Sequence, residues 1–507
     1  MTGARSIMIV GAGTAGWLTA AYLARFFALA GQGDMSITLL ESPDLGIIGV
    51  GEGTFPTIRG TLDFLGIDET AFLRATSATF KQGIRFDDWL HAPAPDGRRH
   101  HYVHPFEAPL QTNDADLLAA WLAQDSATRL PFAQAMSIQH GVALHGRAPK
   151  RPEEGAYAAP LSYAYHFDAT KFAALLRDRA VELGVRHLTD HLTGVERGED
   201  GKIARILTRD RGPLSADLYI DCTGFRAELI GRALGAPFRS VRHQLFTDRA
   251  LACKIPYDRP DAPIQSVTIA AAHEAGWTWD IGLEGARGIG CVYSSAHMDE
   301  DGAAKILRAH IGHDRFQPRL IPFDPGYREA QWIGNCVAVG LSGGFLEPLE
   351  STGILLIEAA VAMIAELFPL AGPIDAPASR FNQLMVGRYE RIVDFLKLHY
   401  CLSRRDEPFW RDNADPASMP ESLRAHLDQW RYRPPGRFDF TLDLESFAPF
   451  NYHYILYGMD YPTMPPPRPA TASPRAADRL FARVQSYSDQ ATRDLPTNRA
   501  FLEEIGA

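Results

Sequence analysis

A short apolar run, Ser6–Val10, leads straight into Gly11-Ala12-Gly13-Thr14-Ala15-Gly16, and no other stretch of this 507-residue chain narrows its fold as much. The pattern that follows, Trp17–Ala30, is helical, and a second apolar run, Ser36–Leu40, ends on Glu41. Strand, glycine turn, helix, strand and acid is the order of a parallel dinucleotide-binding unit. Gly11 permits the tight turn, Gly13 and Ala15 leave backbone free to approach a pyrophosphate, and Gly16 lets helix and strand pack closely. Glu41 stands where a carboxylate binds ribose hydroxyls. A GxGxxG alone is a weak sign; here it has the strand before it and the helix after it.

Two later segments repeat the strand-to-turn theme. After a helical pattern at Phe172–Gly184, Ala216–Ile220 runs into Asp221-Cys222-Thr223-Gly224. Cys336–Val339 then runs into Gly340-Leu341-Ser342-Gly343-Gly344. Three such turns over this length point to FAD rather than a nicotinamide, with Asp221, Gly224, Gly340 and Leu341 beside the cofactor. No second GxGxxG follows a strand, so no separate NAD(P)H domain is expected. The fold class is therefore α/β: a Rossmann-like FAD domain of the large flavin monooxygenase type, an inserted β-sheet substrate region and a mainly helical C-terminal region. The FAD segments fall at about 1–80, 162–240 and 323–360, and the insertions at about 81–161 and 241–322. The second insertion has strand-like runs at Ala250–Ile255 and Ile289–Tyr293. Residues 361–507 cover the substrate side: helical to about Leu402, aromatic-rich and irregular to Tyr461, a proline-rich strap at Pro462–Pro474 and a last helix at Arg475–Arg493.

The formal charge of −10 argues against non-specific nucleic-acid binding, which needs a basic surface. Five scattered cysteines without CxxC spacing fit buried thiols in a reducing compartment, not a zinc site or a disulfide frame. The chain enters its first strand almost at once, so no signal segment is expected, and the longest apolar helix pattern, Ile354–Gly372, carries Glu358 and Glu366. A cytoplasmic protein without membrane or nucleic-acid partners is the expectation.

The chemistry concentrates in Gly343-Gly344-Phe345-Leu346-Glu347-Pro348-Leu349-Glu350-Ser351-Thr352-Gly353, between a strand and the helix pattern Ile354–Phe368. Backbone N–H groups of Ser351, Thr352 and Gly353 would lie unpaired at a helix N-terminus, an end that attracts anions. Glu350 stands just ahead of it. An anion site beside an acid points to a halide or phosphate with a proton handler nearby; simple helix capping is the bland alternative.

Together these residues resemble the flavin-dependent halogenases of the tryptophan-halogenase family over roughly the first 360 residues. Besides GxGxxG, the likeness lies in Gly49-Val50-Gly51-Glu52-Gly53-Thr54-Phe55-Pro56, similar to the family's flavin strap with Gly49 and Glu52 at the cofactor. It lies also in Ala78-Thr79-Phe80-Lys81-Gln82-Gly83-Ile84, in His104-Pro105-Phe106, in Gly334-Asn335-Cys336 and in Pro348–Gly353. Trp277-Thr278-Trp279-Asp280-Ile281-Gly282 matches the WxWxIP signature except that Gly282 replaces proline, which could loosen the turn after the strand.

The resemblance implies FADH2 from a separate NAD(P)H-dependent reductase, O2, and chloride or bromide held near Thr352 and Gly353. A flavin hydroperoxide then yields hypohalous acid, which Lys81 receives. Glu350 orients it and takes the ring proton, with Ser351 assisting and Glu347 as a rival carboxylate. Trp277 and Trp279 separate flavin from substrate, and His104 and Phe106 line the substrate pocket. His100 and His101 raise the thought of a metal, but no ligand partner stands at suitable spacing and none is assigned. A dimer is a family-level expectation. Relatives acting on free tryptophan hold its charged end with paired tyrosines and a glutamate. The comparable stretch here, Phe447–Gly458, offers Phe450, Tyr452 and Tyr454 but neither a Tyr-Tyr pair nor a glutamate. Unpaired charges are costly to bury, so indole or an indole-containing compound is expected rather than free tryptophan. An aromatic flavin monooxygenase is the alternative activity.

Overall fold

The computed structural model describes residues 4–44, 46, 49, 51–111, 116–441, 443–466 and 474–506. Val50 of the strap segment and residues 467–473 of the proline-rich stretch lie outside them. The chain forms two compact units. One comprises Met1–Ala78, Phe167–Val241 and Phe323–Glu390; the other comprises Thr79–His166, Arg242–Pro322 and Arg391–Ala507.

The first unit is built on a six-stranded sheet in the order Trp332–Ile333, Cys336–Ala338, Leu218–Asp221, Ser6–Val10, Ser36–Glu41, Arg186–Thr189. All neighbours are parallel except the first pair. Parallel strands are covered on both faces, which is why they read as continuous apolar runs: Ile9, Leu39, Ile220 and Val337 are all fully buried. The first helix runs Thr14–Leu29, three residues earlier than its apolar pattern begins, because the glycine turn itself is the first helical turn. The helix at Ala169–Glu182 also starts early, at an N-cap: the Asp168 carboxylate accepts from the N–H groups of Thr170 and Lys171.

The second unit holds a seven-stranded sheet in the order Arg319–Pro322, Arg249–Pro256, Ala286–Tyr293, Gly276–Gly282, Thr268–His273, Gly83–Asp87, His101–Pro105. Only Thr268–His273 and Gly83–Asp87 run parallel. On one face Leu251, Cys253, Ile289 and Cys291 pack with Ala303 and Leu307 of the helix Glu300–Ile311. Alternation places Trp277 and Trp279 on the other face. The segment read as irregular contains helices at Pro408–Ala414, Glu421–Trp430 and Pro449–Gly458. Their aromatic and proline content masks them in the sequence; proline at the first helical position is compatible with a helix start. The chain closes with helices at Pro474–Asp494 and Asn498–Glu504. No helix among the described residues is long and apolar enough to cross a membrane. All five cysteines are buried free thiols.

Candidate active site

In the first unit, three glycine turns meet at the C-terminal ends of adjacent parallel strands, where open α/β sheets bind ligands. Gly11 has φ +111°, and a Cβ there would lie 2.2 Å from the carbonyl oxygen of Cys222. A Cβ on Gly16 would lie 1.9 Å from the Gly11 carbonyl oxygen, so no side chain fits. Gly13 caps the helix Thr14–Leu29 with no side-chain hydrogen bond and no acid in the first turn, and a Cβ on it would meet nothing within 4 Å. That is a bare, positively polarised helix end facing open space. Gly340, at φ +73°, lies against Ala15, and Leu341 follows it in the same tight turn. Glu41 ends its strand with its carboxylate 2.6 Å from His187 Nε2. Asp221 is fully buried, and its carboxylate accepts from the N–H groups of Thr223, Leu229 and Ile230 and from the Thr223 hydroxyl. It therefore shapes the turn that carries Gly224. Within the strap, a Cβ on Gly49 would approach Glu52 Oε1 at 3.0 Å, and burial pushes the Glu52 carboxyl up to about 7.

The acid-bearing turn belongs to the same unit. Glu350 and Glu347 are each 1% exposed. Ser351 caps the helix Thr352–Leu367 in the left-handed region, φ +56°, with no side-chain hydrogen bond to the helix. Of the three N–H groups expected to be unpaired, that of Ser351 donates to the Pro348 carbonyl at 3.1 Å; a tight turn before the helix uses it. Thr352 is buried, and a Cβ on Gly353 would meet no atom within 4 Å, so space remains beside this helix end.

The second unit carries Lys81, which is 0% exposed, on the strand Thr79–Lys81. Its ammonium lies 5.4 Å from the centre of the Phe106 ring, within cation–π range. His104 Nε2 lies 2.8 Å from Asn451 Oδ1, and its ring is 6.0 Å from that of Tyr454. Tyr454 donates to the carbonyl of Glu107 at 2.9 Å, and its ring is 6.4 Å from that of Phe450. Tyr452 instead sits among Trp430, Phe440 and Phe395, at centroid distances of 5.5, 4.7 and 4.8 Å. The rings of Trp277 and Trp279 are 6.3 Å apart, and both indole nitrogens are buried without a hydrogen-bond partner. Gly282, where the signature has proline, ends its strand, and its carbonyl accepts from the Thr79 hydroxyl at 2.6 Å. The glycine is thereby pinned rather than loose.

A family model described as tryptophan halogenase matches residues 6–474, well beyond the 360 residues over which the motifs carry the likeness. The chain belongs to the tryptophan halogenase family. It is 33% identical to tryptophan 6-halogenase SttH of Streptomyces toxytricini, over 99% of this chain and 98% of that protein. It is also 33% identical to tryptophan 7-halogenase RebH of Lentzea aerocolonigenes, over 98% of each. A crystal structure of a tryptophan halogenase from Shewanella frigidimarina superposes with a TM-score of 0.94 at 39% identity, covering 99% of this chain and 98% of that one. The protein is a flavin-dependent halogenase. The residues present fit FAD: the bare helix end behind Gly13 suits a pyrophosphate, and the glycines whose Cβ atoms would strike backbone keep the cradle open.

The halogenase has one support that sequence reasoning missed. Asn498, fully buried near the C-terminus, holds one edge of the lysine-bearing strand through both backbone groups of a single residue. Its Oδ1 accepts from the N–H of Phe80 at 3.3 Å, and its Nδ2 donates to the Phe80 carbonyl at 3.1 Å. Asn498→Ala is expected to lower stability by about 1–3 kcal/mol, since it leaves two buried backbone groups unpaired. Urea unfolding measures this; an unchanged midpoint would mean the strand does not depend on that clamp.

Proposed function

We propose that this halogenase chlorinates or brominates indole or an indole-containing compound, using Lys81 and Glu350 as its reacting side chains. The observation that carries the reading is the complete burial of Lys81. Lysine is almost never fully buried unless a partner or a function keeps it there, because desolvating an ammonium is costly. FAD, bound at the glycine cradle and reduced by a separate NAD(P)H-dependent reductase, supplies hypohalous acid from O2 and halide.

Thr352 and Gly353 hold the halide at the helix end, where polarised donors and the space beside Gly353 favour a small anion. Lys81 receives the hypohalous acid and fixes the electrophile in a pocket that excludes water. Phe106, in contact with that ammonium, and His104, held by Asn451, form the pocket wall. Glu350, with Ser351 beside it, takes the proton released when the ring carbon accepts halogen. Trp277 and Trp279 wall off the substrate from the flavin.

The helix Pro449–Gly458 supports the substrate preference, since it presents Tyr454 and Phe450 but no charged side chain for an amino acid's zwitterion. The test supplies reductase, NADH, FAD, O2, bromide or chloride, and either indole or free tryptophan. Product masses with a halogen isotope pattern are expected, with indole faster by at least about tenfold, a difference of about 1.4 kcal/mol. Gain of one oxygen without halogen would replace halogenation by hydroxylation, and faster turnover of tryptophan would reverse the substrate assignment.

A further inference from the structure

One titratable side chain close to Lys81 has no part in the chemistry above. The strands Thr79–Lys81 and Ala164–Phe167 run antiparallel, with Thr79 opposite His166 and Lys81 opposite Ala164. Opposed residues share a face, and alternate residues along a strand do too, so Thr79, Lys81, Ala164 and His166 form one patch. Lys81 is therefore the diagonal neighbour of His166, a spacing that long side chains bridge, and the small Ala164 leaves its path clear. His166 is 0% exposed. Its Nε2 lies 2.8 Å from the Thr268 hydroxyl, which fixes the ring. Its Nδ1 is buried too and has no hydrogen-bond partner, a rare condition for a buried ring nitrogen.

We propose that His166 is a positioning residue for Lys81: its Nδ1, through one bridging water, accepts a proton of the ammonium, so that Lys81 meets hypohalous acid as the free amine. This rests on the role given to Lys81 above. Two charged groups act on the imidazole, Lys81 from its own sheet and Asp280 from the strand Gly276–Gly282. Burial first and the Lys81 charge second hold His166 well below its ordinary 6.5, while Asp280 pulls the other way. The resting pair thus holds its proton on the lysine. Moving that proton from Lys81 to His166 leaves the total charge of the pocket unchanged, and it removes the Lys81 repulsion that adds to burial in keeping the imidazole neutral.

The steps balance. Lys81–NH3+ and neutral His166 become Lys81–NH2 and protonated His166. The amine nitrogen bonds the halogen of hypohalous acid, the halogen–oxygen bond breaks, and the departing hydroxide takes one amine proton to leave as water, giving Lys81–NHX. The ring carbon then bonds the halogen, and the N–X electron pair returns to nitrogen, which collects the proton stored on His166. Glu350 takes the ring proton and then gives it up, through solvent, to the Lys81 amine, which restores the carboxylate and the ammonium. The sum is arene plus hypohalous acid to haloarene plus water.

The test compares the natural chain with His166→Asn. Single-turnover halogenation of indole is followed between about pH 6 and 9, together with reductive methylation of Lys81 in flavin-free protein, mapped by mass spectrometry, since only the amine form reacts. Both readouts are expected to be level with pH in the natural chain. In His166→Asn both are expected to be slower and to rise by about tenfold per pH unit, because the proton must then leave to solvent. A variant that stays level, or slows by one factor at every pH, overturns the proposal. If His166→Asn does not fold, Thr268→Val, which frees the imidazole from its anchor, decides: a rise with pH supports the proposal and a level profile overturns it. Lys81→Met separates the two claims. An active Lys81→Met removes the role of Lys81 itself, whereas an inactive one beside a level His166→Asn removes only the role of His166.

Discussion

Lys81→Met is expected to reduce halogenation by about 10²–10⁴-fold, the usual weight of a side chain that handles a proton or a reacting atom. Methionine has nearly the length of lysine, so the fully buried site stays filled and Phe106 keeps an apolar neighbour. The variant should bind FAD as the natural chain does, because the glycine turns fitted to the cofactor belong to the other compact unit. Flavin titration and product mass spectrometry together make the measurement. Turnover within about tenfold of the natural rate would exclude Lys81 from the chemistry. Loss of flavin binding alongside activity would mark a folding defect instead.

Glu358→Gln is expected to change the pH dependence of stability. Glu358, on the helix Thr352–Leu367, accepts from Thr57 at 2.8 Å and from Thr61 at 2.5 Å, both on the helix Thr57–Phe64. The two hydroxyls favour the ionised form, but burial outweighs them and pushes the carboxyl from its ordinary 4.5 up to about 7. A folded-state value above the unfolded one means that the proton stabilises the fold. The contribution is complete below about pH 4.5 and is lost as pH rises through about 7. The span from 4.5 to about 7, at about 1.4 kcal/mol per pH unit, corresponds to about 3 kcal/mol. Glutamine is neutral at every pH and can still bond both hydroxyls. The variant should therefore match the natural chain near pH 4.5 and exceed it by up to about 3 kcal/mol at pH 8. Glu52, also raised to about 7, leaves both proteins with some remaining dependence. Parallel stability curves for the two proteins would show that Glu358 does not set it.

What the sequence made legible follows from the range of the forces involved. Gly11 through Glu41 obeys local rules, since a turn that tolerates only glycine and strands buried on both faces leave their mark within a few residues. The strands Arg249–Pro256 and Ala286–Tyr293 likewise sit within a residue or three of their apolar runs. The helix Pro449–Gly458 was not legible, because aromatic residues favour helices weakly and burial, not propensity, selects the conformation there. The N–H of Ser351 was misjudged because a turn, invisible to helix periodicity, takes it up. Asn498 could not have been found at all: its partner Phe80 lies 418 residues away, and an asparagine opening a short helix carries no signal of that distance. His166 is similar, reading as one more residue of a buried strand until Thr268, 102 residues on, anchors its ring.

The sealed thiols have a consequence for an enzyme whose reagent is an oxidised halogen. A thiol is attacked chiefly as thiolate, and exposure decides which thiol is reached. Burial pushes Cys253 up to about 11 and Cys401 up to about 12, and it raises Cys222, Cys291 and Cys336 as well. Every cysteine is therefore both hidden and protonated, so halogen that escapes its intended target meets no ready thiol on the catalyst that made it.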